Sequence, residues 1–154
     1  MRSLVISDSS SLILFDQMGK FELLLKVYDV IFTTRQVAFE FGGPLPELIQ
    51  IKKAKDKEYL AFLEMQFDWD VASAIALAKE VDNSILLLDD LKARKLAAQL
   101  NLKFTGTLGV LHTARQLGYV DKIEPLIDKL LKENFRIPEN IVLELLKINN
   151  EIAV

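Results

Sequence analysis

The stretch Ser3-Leu4-Val5-Ile6-Ser7-Asp8-Ser9-Ser10-Ser11 opens the chain and decides which fold it predicts. Its apolar run, Leu4 to Ile6, is typical of a buried strand in a parallel sheet. Asp8 then stands where that strand would end, and the serines supply N-cap chemistry for a helix beginning near Leu12. Ligands of open α/β sheets bind in the crevice at the carboxyl ends of the strands. Asp8 is therefore either a helix-capping residue or a functional acid, and this stretch alone leaves both interpretations open.

A second stretch, about eighty positions later, repeats this pattern. Ser84-Ile85-Leu86-Leu87-Leu88 indicates another buried strand, and Asp89 and Asp90 follow at its end. Such strands alternate with helical segments, which predicts a three-layer α/β/α sandwich with a central, mainly parallel sheet. Right-handed crossovers align the carboxyl ends of the strands along one edge. We therefore expect Asp8 and the Asp89-Asp90 pair to face the same crevice.

The remaining elements are predicted from apolar periodicity and from capping and turn residues. Thr107 is expected to cap the helix that follows Gly106, and Asp121-Lys122-Ile123-Glu124 has the pattern of a capping box. The whole chain, 1–154, is expected to form a single domain, with C-terminal helices at about 121–149 packing on its core. Helices are predicted at 12–18, 20–27, 35–41, 56–66, 68–79, 91–100, 108–117, 121–134 and 138–149, and further strands at 28–32, 48–51 and 103–105.

The composition excludes several kinds of chemistry. The chain has no cysteine, which excludes disulfides, thiol catalysis and zinc sites with cysteine ligands, and which fits a cytoplasmic protein. Its one histidine, His112, lies in a predicted helix and is expected to be a packed or a surface residue. The net charge is −3, so any contact with nucleic acid must be local or bridged by metal ions. Lys52, Lys53, Lys55 and Lys57 form a basic run, which is usually a solvated face and less often a phosphate contact.

Neither a membrane span nor a secretory leader is expected. The sequence has no apolar run near the roughly 20 residues that a span requires. The first predicted strand starts almost at once, where a leader would need a charged region and a longer apolar region. Both points agree with a cytoplasmic location.

Acids that converge in a crevice repel each other unless protons or cations intervene. Hard divalent ions such as Mg²⁺ and Mn²⁺ prefer oxygen ligands and keep several waters. Such ions lower the pKa of bound water and neutralise charge on a leaving oxygen, which suits phosphoryl transfer. A nuclease or a phosphatase is therefore the activity that this chemistry favours.

The order and spacing of these segments resemble those of PIN-domain proteins. The likeness is greatest to the small prokaryotic PIN-like branch of predicted nucleic-acid-binding proteins, which is related to the toxin ribonucleases of toxin–antitoxin systems. It extends over nearly the whole chain, from about residue 2 to residue 149. The segments that carry it are Ser7-Asp8-Ser9-Ser10, the helix bearing Glu40, the helix at 68–78, Leu86-Leu87-Leu88-Asp89-Asp90 and Thr105-Gly106-Thr107-Leu108-Gly109-Val110-Leu111.

The resemblance implies a nuclease that depends on Mg²⁺ or Mn²⁺ and holds the ion with three or four acids. Matched residue by residue, it implies that Asp8, Glu40 and Asp90 are the catalytic and metal-binding acids. Asp89 and Asp70 are the further metal ligands that it suggests.

The sequence departs from the family pattern at the start of one helix. Val71 takes the place of an expected acid, Ser73 takes the place of a second Glu, and Asp70 stands where the family has Gly. Adjacent helical residues point about 100° apart, so Asp70 replaces the missing acid only if it lies in an irregular first turn. The substrate contacts expected from the resemblance and from neighbouring positions are Arg94, Thr107 and Ser9.

The function expected from the sequence is that of a metal-dependent ribonuclease that cleaves phosphodiester bonds of RNA. One version of this expectation is that the protein is the toxin of a toxin–antitoxin pair. RNA and an antitoxin protein are then the partners, and a homodimer is expected because many relatives pair. The alternative is a degenerate PIN domain that binds RNA or protein without cutting. A phosphatase of small phosphate esters is a third, weaker alternative.

Overall fold

The structure is a computed structural model that describes residues 3–133, 135–149 and 151. Within these residues the strands are β1 (Leu4–Ser7), β2 (Val30–Thr33), β3 (Ile49–Ile51), β4 (Ser84–Leu87) and β5 (Lys103–Thr105). The helices are α1 (Ser9–Gln17), α2 (Phe21–Val27), α3 (Arg35–Phe41), α4 (Lys57–Glu64), α5 (Trp69–Glu80), α6 (Leu91–Gln99), α7 (Thr107–Gln116), α8 (Glu124–Lys132) and α9 (Glu139–Ile148).

The five strands form one sheet in the order β3-β2-β1-β4-β5, and every pair is parallel. In the register, Ile6 of β1 pairs with Phe32 of β2 on one side and with Leu86 of β4 on the other. β1 is therefore the central strand. The predicted edge strand at 48–51 is confirmed as β3, which lies at one border of the sheet.

Two apolar cores cover the two faces of this sheet. Val5 and Leu87 belong to the first core, with residues of α1, α2, α7, α8 and α9. Ile6 and Leu86 belong to the second core, with residues of α4, α5 and α6. Neighbouring residues of one strand enter opposite cores because successive side chains in a strand point to opposite faces. The predicted three-layer α/β/α sandwich with a parallel sheet is confirmed.

Helix α5 is the most deeply buried helix among the described residues. Every residue from Asp70 to Ala78 is buried, and five of those positions are alanine or serine. Small side chains allow the helix to approach the sheet closely. As a consequence, Asp70 and Ser73, near the start of α5, lie in the interior of the protein.

Two of the predicted helix starts are wrong. Helix α1 begins at Ser9 instead of near Leu12, and Asp8 is its N-cap, accepting a hydrogen bond from the Ser11 amide at 3.0 Å. Thr107 does not cap α7, because Gly106 occupies the N-cap position and the Thr107 hydroxyl donates to Asp89. At α1 the acid Asp8 provides the cap that the local pattern assigned to the serines. At α7 a tertiary contact with Asp89 engages the hydroxyl to which the local pattern assigned the cap.

The predicted capping box is also wrong. Helix α8 begins at Glu124, and its N-cap residue, Ile123, provides no side-chain hydrogen bond. The carboxylate of Glu151 accepts instead from the amides of Ile123 and Glu124, at 2.7 and 3.0 Å. The predicted end of this helix at Asn134 lies outside the described residues. The start of α8 is thus capped by a residue distant in sequence.

The C-terminal end of α9 is held to α7 by polar contacts. Asn149 is 1 % exposed, and its side-chain amide lies 3.0 Å from Nδ1 of His112. Gln116 donates to Oδ1 of Asn149 at 3.0 Å. His112 is half-buried and is hydrogen-bonded to Asn149. None of the helices in the described part of the chain has the length and apolar run that crossing a bilayer requires.

Replacing Glu151 with Ala should lower the free energy of unfolding by about 1 kcal/mol, because two amides at the start of α8 lose their acceptor. Thermal unfolding followed by circular dichroism measures the loss as a lower Tm. The matched control is Glu144→Ala on the exposed side of α9, which should leave the Tm nearly unchanged. Equal effects of the two substitutions would contradict the capping role.

Candidate active site

Asp8 lies at the carboxyl edge of the sheet, at the end of the central strand. Its amide donates to the carbonyl of Leu87 at 3.2 Å, which continues the pairing of β1 with β4. The side chain is 2 % exposed and caps α1 through the Ser11 amide. Asp8 is therefore a helix cap and also a buried acid at a strand end.

The charge of Asp8 is poorly accommodated in its surroundings. Burial raises the pKa of Asp8 to about 7, and hydrogen bonds from Ser11 oppose that shift only in part. The negative charges of Asp89 and Asp70 raise the pKa of Asp8 further. These three carboxylates are the acids that the structure brings together at the sheet edge.

Asp89 is held in place by hydrogen bonds from two other segments. One carboxylate oxygen accepts from the Thr107 amide at 2.9 Å, and the other accepts from the Thr107 hydroxyl at 2.6 Å. The second oxygen also lies 3.4 Å from the Ser11 hydroxyl. Asp89 thereby joins the end of β4 to the first turn of α7 and to α1. This contact is the one that draws Thr107 away from the predicted capping role.

Asp70 reaches the same region from the first turn of α5. Its side chain is buried and accepts a hydrogen bond from the hydroxyl of Ser9, the residue next to Asp8. Val71 is buried in the apolar core and provides no polar atom. Ser73 donates to the backbone carbonyl of Asp70 at 2.7 Å, and its hydroxyl lies 2.6 Å from that of Thr34. Asp70 is thus the acid that α5 contributes beside Asp8.

Glu40 and Asp90 have other partners. The exposed carboxylate of Glu40 accepts from the Trp69 indole at 2.6 Å, and Trp69 packs edge-to-face against Phe39. Asp90 is exposed and caps α6 by accepting from the Lys92 amide at 2.9 Å. Across residues 3–133, 135–149 and 151, no three His, Cys, Asp or Glu side chains form a group that could hold a metal ion. The set of acids implied by the resemblance is therefore not assembled in this conformation.

Arg94 has internal partners in this structure. Its Nε donates to the Leu88 carbonyl at 2.9 Å, and its guanidinium lies 3.9 Å from Asp89 and over the ring of Phe104. A Cβ atom at Gly106 would overlap the guanidinium of Arg94 and contact Asp89. Glycine at this position leaves the space in which Arg94 lies beside the acid. Arg94 is therefore held beside Asp89 by contacts within the protein.

Several buried hydroxyls near the acids were not predicted from the sequence. Thr33 donates to the carbonyl of Ser7 at 3.0 Å, Thr34 pairs with Ser73, and Ser11 contacts both Asp8 and Asp89. The signal was present as hydroxyl residues directly after two apolar strands. By itself, that pattern predicts only helix caps and strand ends for such residues. Buried hydroxyls at the end of a parallel strand also support nearby carboxylates.

The side-chain oxygen atoms of this site are of the type that binds a hard divalent cation. They are carboxylate and hydroxyl oxygens, which Mg²⁺ and Mn²⁺ prefer, and Mg²⁺ is usually bound through only one or two protein carboxylates with water completing its shell. The raised pKa of Asp8 shows that its negative charge is uncompensated. A cation at this edge would supply that compensation.

Comparison with known proteins identifies the class to which this fold and site belong. The chain matches the DUF3368 family model, a PIN domain, over residues 4–151. Because the match spans nearly the whole sequence, the chain belongs to the PIN-domain family, and the predicted resemblance is confirmed. PIN domains have a nuclease-type fold, generally use divalent metals and bind nucleic acid. No curated protein sequence matched the chain.

Replacing Asp8 with Asn should stabilise the metal-free protein. Asn keeps the cap on α1 and removes a charge that burial disfavours. The pKa of Asp8 is raised from 3.8 to about 7, so the gain should grow between these pH values and level off above them. At pH 8 in EDTA we expect the Tm to be higher by roughly 4 °C or more. In a domain of this size, a change of 1 kcal/mol in the free energy of unfolding shifts the Tm by about 2–4 °C.

The matched control for this prediction is Asp16→Asn, an exposed position on α1. Its Tm should follow that of the wild-type protein at every pH. A Tm of Asp8→Asn at or below that of the wild type at pH 8 would show that the buried charge is not destabilising.

Replacing Gly106 with Ala should displace the Arg94 guanidinium and lower the free energy of unfolding by about 1–3 kcal/mol through overpacking. Arg94→Ala in the same chain should recover part of the loss, and a double-mutant cycle from urea unfolding measures the coupling. Gly43→Ala is the control, because its Cβ would meet only ordinary van der Waals contact. Strict additivity of the Gly106 and Arg94 effects would argue against the overlap.

Proposed function

We propose that this protein is a ribonuclease that depends on a divalent metal and cleaves phosphodiester bonds of RNA. The observation that supports the proposal most strongly is the convergence of Asp8, Asp70 and Asp89 at the carboxyl edge of the sheet in a chain of the PIN-domain family. The chain has no cysteine, and its one histidine is hydrogen-bonded to Asn149. Carboxylate chemistry is what this composition leaves for catalysis.

In this proposal Asp8 and Asp89 hold Mg²⁺ or Mn²⁺, and Asp70 acts beside them. When bound, the ion supplies Lewis-acid activation of water and of the scissile phosphate. The chain's own residues orient the carboxylates: Ser11 holds Asp8, Thr107 holds Asp89 and Ser9 holds Asp70. Carboxylates fixed in this way lose little entropy when they bind a cation, which is the advantage of a preorganised site.

The other acids of the family pattern have peripheral roles in this proposal. Glu40 and Asp90 are exposed, so they are available to water-mediated contacts with a cation or substrate. Glu40 is bonded to Trp69, which directly precedes Asp70, so it lies at the start of α5. We propose that Glu40 and Asp90 complete the outer part of the site.

The biological setting that we propose is the one suggested by the resemblance, a cytoplasmic toxin paired with an antitoxin protein. Phe39, Met65 and Leu91 are 72, 84 and 80 % exposed. Exposed apolar side chains of this size are surface that an antitoxin or a second copy of the chain would cover.

A second candidate function is supported by the start of α5. Val71, which replaces an expected acid, is buried among apolar residues, and the described residues contain no three-acid group suited to a metal. These observations favour a degenerate PIN domain that binds RNA or protein without cutting it. The two candidates differ in what they predict for metal-dependent cleavage.

Incubation with single-stranded RNA should give cleavage that requires Mn²⁺ or Mg²⁺ and stops in EDTA. The double variant Asp8→Asn, Asp89→Asn should lower the rate by at least about 100-fold, the loss typical of removing a major electrostatic contribution. Gel analysis of end-labelled RNA measures the rate. Asp16→Asn, which is remote from the strand end, should cleave like the wild type.

A different result would favour the second candidate. If the wild-type protein and the double variant cleave equally slowly, the nuclease proposal is wrong. Calorimetry then separates the remaining cases, because a degenerate domain that retains RNA binding should release heat with RNA and none with millimolar Mn²⁺.

A further inference from the structure

Arg94 brings a positive charge to the acids at the end of the sheet. Its guanidinium lies 3.9 Å from a carboxylate oxygen of Asp89, and the described residues form no other salt bridge. The negative charges of Asp89 and Asp70 both act on Asp8. Carboxylates that lie this close to one another need a nearby cation to offset their repulsion. Arg94 is the side chain that supplies such a charge from within the protein.

The guanidinium of Arg94 is fixed by contacts on several sides. Its Nε donates to the carbonyl of Leu88 at 2.9 Å, and Leu88 directly precedes Asp89. The group also lies over the ring of Phe104, 5.5 Å from the ring centroid. The missing Cβ of Gly106 leaves the space in which the guanidinium and Asp89 approach each other. The fold itself therefore determines where this charge lies, without help from a ligand.

The contact between Arg94 and Asp89 is electrostatic. At 3.9 Å the two atoms are too far apart for a hydrogen bond. The orientation of Asp89 comes from Thr107, whose amide and hydroxyl donate to the two carboxylate oxygens at 2.9 and 2.6 Å. Position and charge are thus supplied by different residues, since Thr107 orients the acid and Arg94 offsets its charge.

We propose that Arg94 is an internal counter-ion of the acidic site, which stabilises the acids when no metal is bound and lowers their affinity for a divalent cation. Arginine keeps its charge at all pH values at which the protein is folded. A cation that approaches Asp89 therefore meets the repulsion of a charge already in place. This inference rests on the proposed function, in which Asp8 and Asp89 hold the metal, and it adds how the affinity for that metal is set.

Calorimetric titration with Mn²⁺ in the absence of RNA tests the effect on metal binding. Arg94→Gln should bind Mn²⁺ roughly tenfold more tightly than the wild type, because the repelling charge is gone. Arg94→Lys, which keeps the charge, should bind like the wild type. The difference between Arg94→Gln and the wild type should shrink as the salt concentration rises, because the site is partly open to solvent.

The matched control is Lys95→Gln, which removes the same charge from the next, exposed position of α6. Its affinity for Mn²⁺ should equal that of the wild type. Weaker binding by Arg94→Gln would overturn the proposal, because the arginine would then support the metal site instead of competing with the metal. Equal gains in Arg94→Gln and Lys95→Gln would also overturn it, because net charge alone would explain them.

A second measurement requires no metal. In EDTA, Arg94→Gln should lower the free energy of unfolding, and adding Asp89→Asn should recover part of the loss, because the charge that lacks compensation is then absent. Asn keeps an acceptor for the Thr107 amide. A double-mutant cycle from urea unfolding measures this coupling. Adding the remote Asp16→Asn to Arg94→Gln should recover nothing. Strict additivity of the Arg94 and Asp89 effects would contradict the counter-ion.

Failure of this inference is distinguishable from failure of the proposed function. Metal-dependent RNA cleavage by the wild type, combined with additive effects in EDTA, overturns the counter-ion and leaves the ribonuclease standing. Coupling in EDTA, combined with Mn²⁺ binding by Arg94→Gln alone, supports the counter-ion and contradicts the proposed function of the wild type. If neither protein binds millimolar Mn²⁺, the ribonuclease and the effect of Arg94 on metal affinity are both wrong.

Discussion

The burial of the Asp8 carboxylate at the end of the central strand is the constraint on which the arrangement of this protein depends. A charge with 2 % exposure is costly unless hydrogen bonds or an opposite charge offset the lost hydration. The Ser11 amide provides one such bond, and it does so only because α1 begins immediately after β1. The abrupt passage from strand to helix is therefore part of what keeps an acid in the interior.

The neighbouring acids follow from the same constraint. The negative charges of Asp89 and Asp70 lie close to that of Asp8 and repel it. The hydroxyls of Thr107 and Ser9 donate hydrogen bonds to these two acids. Burial and these neighbouring charges raise the pKa of Asp8 to about 7, so its charged form is disfavoured in the folded protein. Proteins accept strain of this kind at functional sites, where rigidity and uncompensated charge have a use. Gly106 belongs to this arrangement, since a larger residue there would displace the arginine beside Asp89.

Sequence reasoning predicted the layers of the fold well because they depend on patterns that one segment reveals by itself. The apolar runs ending at Ile6 and Leu88 identified buried parallel strands, and right-handed crossovers then brought Asp8 and Asp89 to one edge. The resemblance placed Asp90 among the catalytic acids and Asp89 only among the further ligands, whereas the directions of adjacent residues after a strand depend on where the next helix starts. In the structure Asp90 caps α6 and Asp89 points to Thr107. The caps assigned to Thr107 and to residues 121–124 failed for a related reason, since distant carboxylates bind those groups and local patterns contain no information about them.

The cap on α8 has a consequence for the order in which this chain is made. Glu151 binds the amides of Ile123 and Glu124, and Asn149 connects the end of α9 to α7. During synthesis the N-terminal part emerges first, at roughly 5–20 residues per second, so these contacts form only after residue 151 has emerged. The sheet and the acids at its edge are available before that moment, whereas α8 has an uncapped start until residue 151 has emerged. Completion of the helical layer on that face is thereby tied to residue 151.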